Sequence, residues 1–369
     1  MGCMSAYTAI DHAHMAEALR LAERGLFTTQ PNPRVGCVIA QGPSIVGRGW
    51  HERAGEPHAE VHAIRQAGAA ARGGTAYVTL EPCAHHGRTP PCADALIAAG
   101  VARVIAAIED PFPQVDGAGM DRLRAAGIHV ASGLMREEAR EINRGFFSRI
   151  ERGRPWLRLK LASSLDGRTA LADGRSWWIT GEAARKDVAR WRARSSALLV
   201  GAGTIRTDNP RLTARLAPDE STFIAPLRVV LDTRLEALPA DAHVLSSDAP
   251  TLVLHARDAH PAHSGYERVE SMAVPTVDGR LDLGAVLSLL AERGCNELQV
   301  ESGPTLSGAL LDAGLVDELL LYIAPVLLGD QARPLMRMLS PSSMDSRRSL
   351  RIIDRRMLGD DVRLLLRTS

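Results

Sequence analysis

Lysine is almost missing from this chain: of 44 basic residues, only Lys160 and Lys186 are lysines. A position that keeps lysine against such a bias is a candidate for chemistry that the planar, always-charged guanidinium cannot do. Cysteine is also sparse. Cys3, Cys37, Cys83, Cys92 and Cys295 are an odd set, too few for a disulfide framework in a chain of 369 residues. Reduced thiols and a cytoplasmic setting are therefore expected. No apolar run approaches the ~18 residues of a membrane span, and the segment Met1–Tyr7 is too polar for a secretory core. Neither sign of charge dominates, the net charge being +1, so no global field draws the protein onto nucleic acid. Aromatic residues are only 4% of the chain, which leaves little for a base-stacking surface. What remains, 45% hydrophobic and 24% charged, is an ordinary globular composition. At ~100–200 residues per domain, the length suggests two domains.

Apolar residues at helical spacing predict a helix over 11–24, and two short apolar runs, 35–40 and 45–50, predict a hairpin. Pro57 is placed to open a helix from His58 to about Ala71. Strands are expected at 75–80, 101–108 and 128–131, and helices at 92–99, stopped by Gly100, and around 120–126. Glu151–Pro155 breaks this alternation and sets the expected boundary between domains at 1–150 and 156–369. Beyond it, strands are expected at 156–162, ending at Val200, and at 227–231, 251–255 and 297–300. Helices are expected at about 182–194, 281–293 and 305–312, and closing strands within 350–366. Both halves read as α/β.

The sharpest chemical signal is His58-Ala59-Glu60, followed by Pro82-Cys83 and then Cys92. One histidine and two cysteines make three protein ligands, the count of a catalytic zinc with an open fourth position. Cys92 opens a helix, where free N–H groups favour a thiolate. Glu60 stands two residues from His58, placed to move protons without being a ligand; the implied nucleophile is a water acidified by the metal. His62, His85 and His86 are alternative ligands, and a structural zinc site is the plainer reading. HAE followed by PC is the pattern of zinc deaminases, but there the cysteines are normally two residues apart rather than eight.

That longer spacing, in EPCAHHGRTPPC, together with PHAEVHAI and QPNPRVGCVI, closely resembles the bifunctional riboflavin-biosynthesis deaminase/reductase (RibD) family. KLASSLDGRTA, SWWIT, GAGTIRTDNPRLTAR and VESGPTL in the second half are similar to the reductase of the same family. The resemblance implies a cytidine-deaminase-like three-layer α/β domain followed by a dihydrofolate-reductase-like domain. It implies one Zn2+ per chain on His58, Cys83 and Cys92, with Glu60 as the catalytic proton shuttle. Asn32, His51 and His85 would hold the pyrimidine and Arg88 its phosphate. The substrate implied is a diamino-ribosylaminopyrimidinone 5′-phosphate, which loses its 2-amino group and is then reduced from ribosyl to ribityl by NADPH. Ala162, Trp178, Thr204, Asp208 and Gly303, Pro304, Thr305 and Leu306 would contact NADPH. Ser176, Arg192, Leu212, Arg215 and Glu301 would contact the reductase substrate, with Arg192 and Arg215 suited to its phosphate. Phe112 and Ser302 depart from the family pattern, where Asn and Gly are expected.

Two readings come from the residues themselves. Gly201 and Gly203, after one strand, and Gly303, after another, are two places where backbone could approach a dinucleotide phosphate. In the strand Trp156–Ala162, Leu157, Leu159 and Leu161 share a face, and Lys160 points to the other. Its retention as lysine suggests a contact with the substrate ribose and a part in proton transfer, against the plainer reading of a snorkelling edge charge. A nucleic-acid deaminase is disfavoured by the cysteine spacing and the lack of a basic aromatic surface; a zinc-stabilised binding module is disfavoured by the intact His58, Glu60, Cys83 and Cys92 set. The expected partner is a small phosphorylated pyrimidine, with no nucleic acid and no membrane, and a homo-oligomer is expected.

Overall fold

A computed structural model describes residues 7–84, 91–112, 117–176, 178–216 and 222–368. The chain divides into two compact units, Met1–Arg152 and Gly153–Ser369.

The first unit runs α1 (Ala9–Glu23), β1 (Gly36–Gln41), β2 (Ser44–Trp50), α2 (Ala59–Ala67), β3 (Thr75–Val78), α3 (Cys92–Ala99), β4 (Arg103–Ala106), α4 (Ala118–Ala125), β5 (His129–Ser132), α5 (Arg136–Ile142) and α6 (Arg144–Arg152). Its sheet has the order β2-β1-β3-β4-β5. β1 is antiparallel to both neighbours, while β3, β4 and β5 are parallel. The period of two along β1 sends Cys37 and Ile39 into one core and Val38 and Ala40 into the other. The first core is closed by Ala59 and Ala63 of α2, Leu96 of α3 and Leu123 of α4. The second is closed by Met15 and Ala18 of α1 and Phe146 and Phe147 of α6. The unit is therefore a sheet between two helical layers. Cys37 is fully buried as a small apolar residue.

The seat of α2 matters most for function. A Cβ on Gly47 would lie 2.2 Å from the Ala63 carbonyl oxygen, and one on Gly49 would lie 2.1 Å from that of Ala59. Bare glycine on β2 and alanine on α2 thus let helix and strand backbones touch, fixing the helix that begins beside His58. Pro57 is not the first helical residue as expected: His58, with extended backbone, is the N-cap, and the helix begins at Ala59. Its far end tightens into a 3-10 turn at Gly68–Ala71. Gly100 stops α3 in the left-handed conformation, φ 72°. Residues 136–152, where charge hides the apolar period, form α5 and α6; in α5 only Ala139 is buried.

The second unit runs β6 (Trp156–Ser164), β7 (Arg168–Ala170), α7 (Glu182–Ala193), β8 (Ala197–Gly201), α8 (Ala202–Asp208), β9 (Leu227–Leu231), β10 (Thr251–His255), β11 (Glu270–Ala273), β12 (Thr276–Val277), β13 (Arg280–Leu281), α9 (Leu283–Glu292), β14 (Glu297–Val300), α10 (Pro304–Asp312), β15 (Glu318–Ala324), β16 (Arg333–Pro334), β17 (Leu350–Leu358) and β18 (Asp361–Thr368). Nine strands form one sheet in the order β11-β10-β9-β8-β14-β6-β15-β18-β17. The pairs from β11 through β15 are parallel and the last two antiparallel. β15 has no place in the sequence expectation, yet it lies inside the sheet, between β6 and β18. Its short apolar run, 319–324, is one that periodicity alone does not assign to strand or helix. Leu157, Leu159 and Leu161 enter the main core of this unit.

Candidate active sites

In the first unit, the N-cap of α2, the segment after β3 and the first residue of α3 bring three ligand atoms together. The donor atoms of His58, Cys83 and Cys92 all lie within 4.8 Å of one another, the one such cluster among the described residues. Nδ1 of His58 is 3.2 Å from Sγ of Cys92 and 3.7 Å from Sγ of Cys83. The backbone N–H of Cys92 donates to Sγ of Cys83 at 3.4 Å, so the start of the helix favours a thiolate at Cys83 rather than, as expected, at Cys92, whose own thiol is pushed up by its bond to Cys83 and by burial. The Cys83 thiol is pushed down by hydrogen bonds from Cys92 and His58, against the effect of burial. One imidazole nitrogen and two sulfurs at these separations suit tetrahedral zinc with a position left for a non-protein group.

Glu60, in the first turn of α2, is buried. Burial pushes its carboxyl up to about 7, with His58 the main opposing influence. Its Oε2 is buried and has no hydrogen-bond partner among the described residues. A buried oxygen without a partner beside an incomplete ligand set fits a site built for a metal and a water. His62, an alternative ligand on the same helix, is not part of the cluster.

Asn32 and His51 meet. Nε2 of His51 is 3.1 Å from Nδ2 of Asn32, and Nδ1 is 3.3 Å from the Pro57 carbonyl oxygen. This geometry fits Nδ1–H donating to Pro57 and Nε2 accepting from the amide. Burial lowers the His51 pKa to about 4, keeping the ring neutral. His51 also packs edge-on against His58, with ring centroids 5.2 Å apart. His85 and Arg88 lie outside the described residues.

In the second unit, Lys160 is half-buried on β6, between β14 and β15, so it is not an edge charge. Burial draws its pKa below the ordinary lysine value; Glu301 opposes this and Arg192 adds to it. Arg192, on α7, holds Glu301 by two parallel bonds of 2.7 Å and also donates to the Thr213 carbonyl. Burial alone would raise the Glu301 carboxyl, but Arg192 holds it at about 2. Gln299 adds a third bond to Glu301 at 2.9 Å. Sequence reasoning did not single out Gln299; the signal for it is a lone amide in the fully buried strand ELQV.

Beside this cluster, two helices begin at the ends of adjacent parallel strands. β8 and β14 pair, with Gly201 the N-cap of α8 and Gly303 that of α10. The glycine-rich segment is therefore a short helix rather than an open loop; extended Gly201 starts it and left-handed Asn209, φ 38°, ends it. A Cβ on Gly203 or Gly303 would meet nothing within 4 Å, whereas one on Gly201 would touch Leu306 at 3.3 Å. Open backbone at the carboxyl ends of parallel strands, next to helix N-termini, is where a dinucleotide fits. Thr204 and Asp208 lie on α8, Pro304, Thr305 and Leu306 on α10, and Ala162 on β6. Ser302 is accommodated at this turn, its Oγ 3.0 Å from that of Ser307.

The remaining candidates are placed differently. Trp178 is 70% exposed, which excludes a core role, and the Arg185 guanidinium lies over its ring at 4.6 Å. Ser176 is half-buried on the segment before α7. Leu212 has its side chain in a hydrophobic cluster and φ of 49°, so any substrate contact there falls to its backbone. Arg215 is exposed, and its Nε donates to Thr213.

Comparison with known proteins bears on the choice between a zinc-stabilised binding module and an enzyme. The cytidine and deoxycytidylate deaminase zinc-binding region matches residues 8–108, and the RibD C-terminal domain matches residues 155–363. Riboflavin biosynthesis protein RibD of Escherichia coli K12 is 49% identical over 365 residues, covering 96% of this chain and 99% of that protein. The protein of the same name from Haemophilus influenzae is 44% identical over 372 residues, covering 98% of each. The chain belongs to the RibD family. It is a bifunctional deaminase and reductase of riboflavin biosynthesis, with a zinc-binding deaminase region followed by a reductase domain. Among solved RibD structures, one from Acinetobacter baumannii superposes with a TM-score of 0.90 at 42% identity, covering 98% of this chain and 99% of that one. The diaminohydroxyphosphoribosylaminopyrimidine deaminase/5-amino-6-(5-phosphoribosylamino)uracil reductase of Thermotoga maritima gives 0.86 at 32% identity, with the same coverage. No described helix is long and apolar enough to cross a membrane.

Proposed function

We propose that the first unit removes the 2-amino group of a 2,5-diamino-6-ribosylamino-pyrimidinone 5′-phosphate by hydrolysis, and that the second unit reduces the ribosyl group of the resulting uracil to ribityl. The observation that carries this reading is the convergence of His58, Cys83 and Cys92 to within 4.8 Å, with Glu60 buried in the same helical turn. These three side chains would hold one zinc, which when bound supplies the Lewis acidity that acidifies a water. Glu60 would take a proton from the water as its oxygen bonds to C2 and pass one to the exocyclic nitrogen, so that the C–N bond breaks, the oxygen stays on the ring as the new carbonyl and ammonia leaves. A carboxyl whose pKa lies at about 7 is suited to both directions of that transfer. Asn32, oriented by His51, presents its amide to the pyrimidine edge, and His85 and Arg88 complete the grip on ring and phosphate.

In the second unit, the N-terminal turns of α8 and α10, with Ala162 and Trp178, would hold NADPH, which supplies the hydride. Lys160 faces the ribosyl group and is the proton donor nearest to it. The Arg192–Glu301 pair orients both, and Arg215, with the free N–H groups of Arg192, receives the phosphate. In this reading the partner is a small phosphorylated pyrimidine, not nucleic acid or membrane. The setting is cytoplasmic, and the chain works as a homo-oligomer.

Two measurements test the bound groups. Metal analysis of active protein should find one zinc per chain, and a chelator that removes it should stop ammonia release while leaving reduction of the deaminated intermediate untouched. Active protein without zinc would refute the assignment. Steady-state reduction should show a specificity constant for NADPH well above that for NADH; comparable values would contradict the NADPH assignment.

A further inference from the structure

Glu81 and α4 have no part in the chemistry above, yet both touch the chain around the two cysteine ligands. Glu81 is buried, two residues before Cys83. Its carboxyl accepts four backbone N–H groups: Oε1 from Gly119 at 3.0 Å and Met120 at 3.3 Å, Oε2 from Gly117 at 3.1 Å and Asp110 at 3.3 Å. Three of those donors belong to the N-cap and first turn of α4, where N–H groups lack partners within the helix. Gly117 itself provides no side-chain cap, so the cap is supplied from the ligand segment instead.

The contact is closer still one residue on. A Cβ on Gly119 would lie 1.8 Å from the Pro82 carbonyl oxygen, so only glycine lets the first turn of α4 rest on the residue before Cys83. One turn later, Arg122 donates to the carbonyl of Ala84, the residue after Cys83, at 3.1 Å. The same guanidinium pairs with Asp94, two residues after Cys92, at 2.6 Å. The two ligand segments are tied to each other as well, by the N–H of Ala93 donating to the Cys83 carbonyl at 3.2 Å. α4 thus grips Cys83 from both sides and α3 just beyond Cys92.

We infer that α4, capped by Glu81 and braced by Arg122, is a positioning clamp that sets the separation of the Cys83 and Cys92 sulfurs for zinc. The inference rests on the zinc-ligand reading above. Groups behind metal ligands fix the ligands' orientation, and losing one commonly weakens binding about 10–100-fold.

The test uses the full chain. In Glu81→Gln, one acceptor oxygen becomes an NH2 group facing N–H donors, so the cap opens with little change of volume. Zinc loss to a chromogenic chelator should be about tenfold faster or more, and Arg122→Ala should give a smaller rise in the same direction. The cobalt-substituted variants should show a shifted thiolate-to-cobalt absorption, while reductase activity and melting of the second unit stay as in the parent. Wild-type zinc loss in both folded variants would overturn the clamp. So would faster loss with an unchanged cobalt spectrum, because that would mean general loosening of the unit. Should Glu81→Gln fail to fold, Arg122→Ala, on a half-exposed side chain, decides by the same two readouts. A parent protein that binds no zinc would instead refute the ligand assignment, and the clamp would fall with it.

Discussion

Glu60→Gln should leave the protein folded and loaded with zinc, yet cut ammonia release by roughly 10²–10⁴-fold, the usual contribution of a positioned general acid–base group. The substitution keeps the size and burial of the side chain. It removes the ability to take a proton from water and return it to nitrogen. Glu60 is not among the three clustered ligand atoms, so zinc content should not change. Its Oε2 has no hydrogen-bond partner among the described residues, so an amide nitrogen at that position breaks no bond there. The variant should still reduce supplied deaminated intermediate at the parental rate, because the reductase candidates all lie in the second unit. Near-normal ammonia release, or loss of both activities in folded protein, would defeat this account.

Lys160→Arg should impair reduction by on the order of 10²-fold or more, the cost of a misplacement of about 1 Å at a reacting centre, and leave deamination intact. Charge is preserved, so a purely electrostatic role in the fold would survive. The surroundings would not accept the shape. Lys160 shares its neighbourhood with Arg192 and Glu301, and both Glu301 oxygens are already engaged by Arg192, with Gln299 adding to one of them. A second planar fork beside that carboxylate competes for the same oxygens and displaces the pair. A lysine drawn below its ordinary pKa by burial can also release a proton, which arginine cannot. Lys186→Arg is the natural control. That side chain is 76% exposed and, among the described residues, pairs with Glu182 on its own helix, so the change should leave reduction, deamination and melting as in the parent. An unchanged reductase rate in Lys160→Arg would show that the rarity of lysine carries no meaning there.

Much of the framework was legible because it rests on short-range rules. The strands at 227–231, 251–255 and 297–300 have the expected limits, since each is a buried apolar run between turns. β15 and the α5–α6 pair were not legible: one is a short apolar run that periodicity alone does not tell from a buried helix, α5 buries only Ala139, and α6 buries a consecutive run in which two residues are polar or charged. The chemical pattern around His58, Glu60, Cys83 and Cys92 could be read from residue types, because few combinations suit a three-ligand metal site. Its supports could not be read in that way. Nothing in the string shows that Gly47 and Gly49 let α2 touch β2, or that Glu81 caps a helix that begins some 37 residues later in the chain. Those contacts depend on which backbones meet, and that is a property of the folded sheet. In the second unit, sequence offered Arg192 as a phosphate anchor, but could not show that part of its guanidinium is taken up by Glu301, a pairing across 109 residues that leaves only its remaining N–H groups for a phosphate.

The central claim is that one chain performs two successive reactions at two separate sites. The most direct test incubates purified, zinc-loaded protein with the diamino-ribosylaminopyrimidinone phosphate and NADPH, and follows ammonia and NADPH together. The account predicts ammonia without NADPH loss when the cofactor is withheld, and, with NADPH present, ammonia release followed by NADPH consumption in equal final amounts. NADPH consumption without prior ammonia release, or ammonia release with no NADPH consumption at any time, would contradict it.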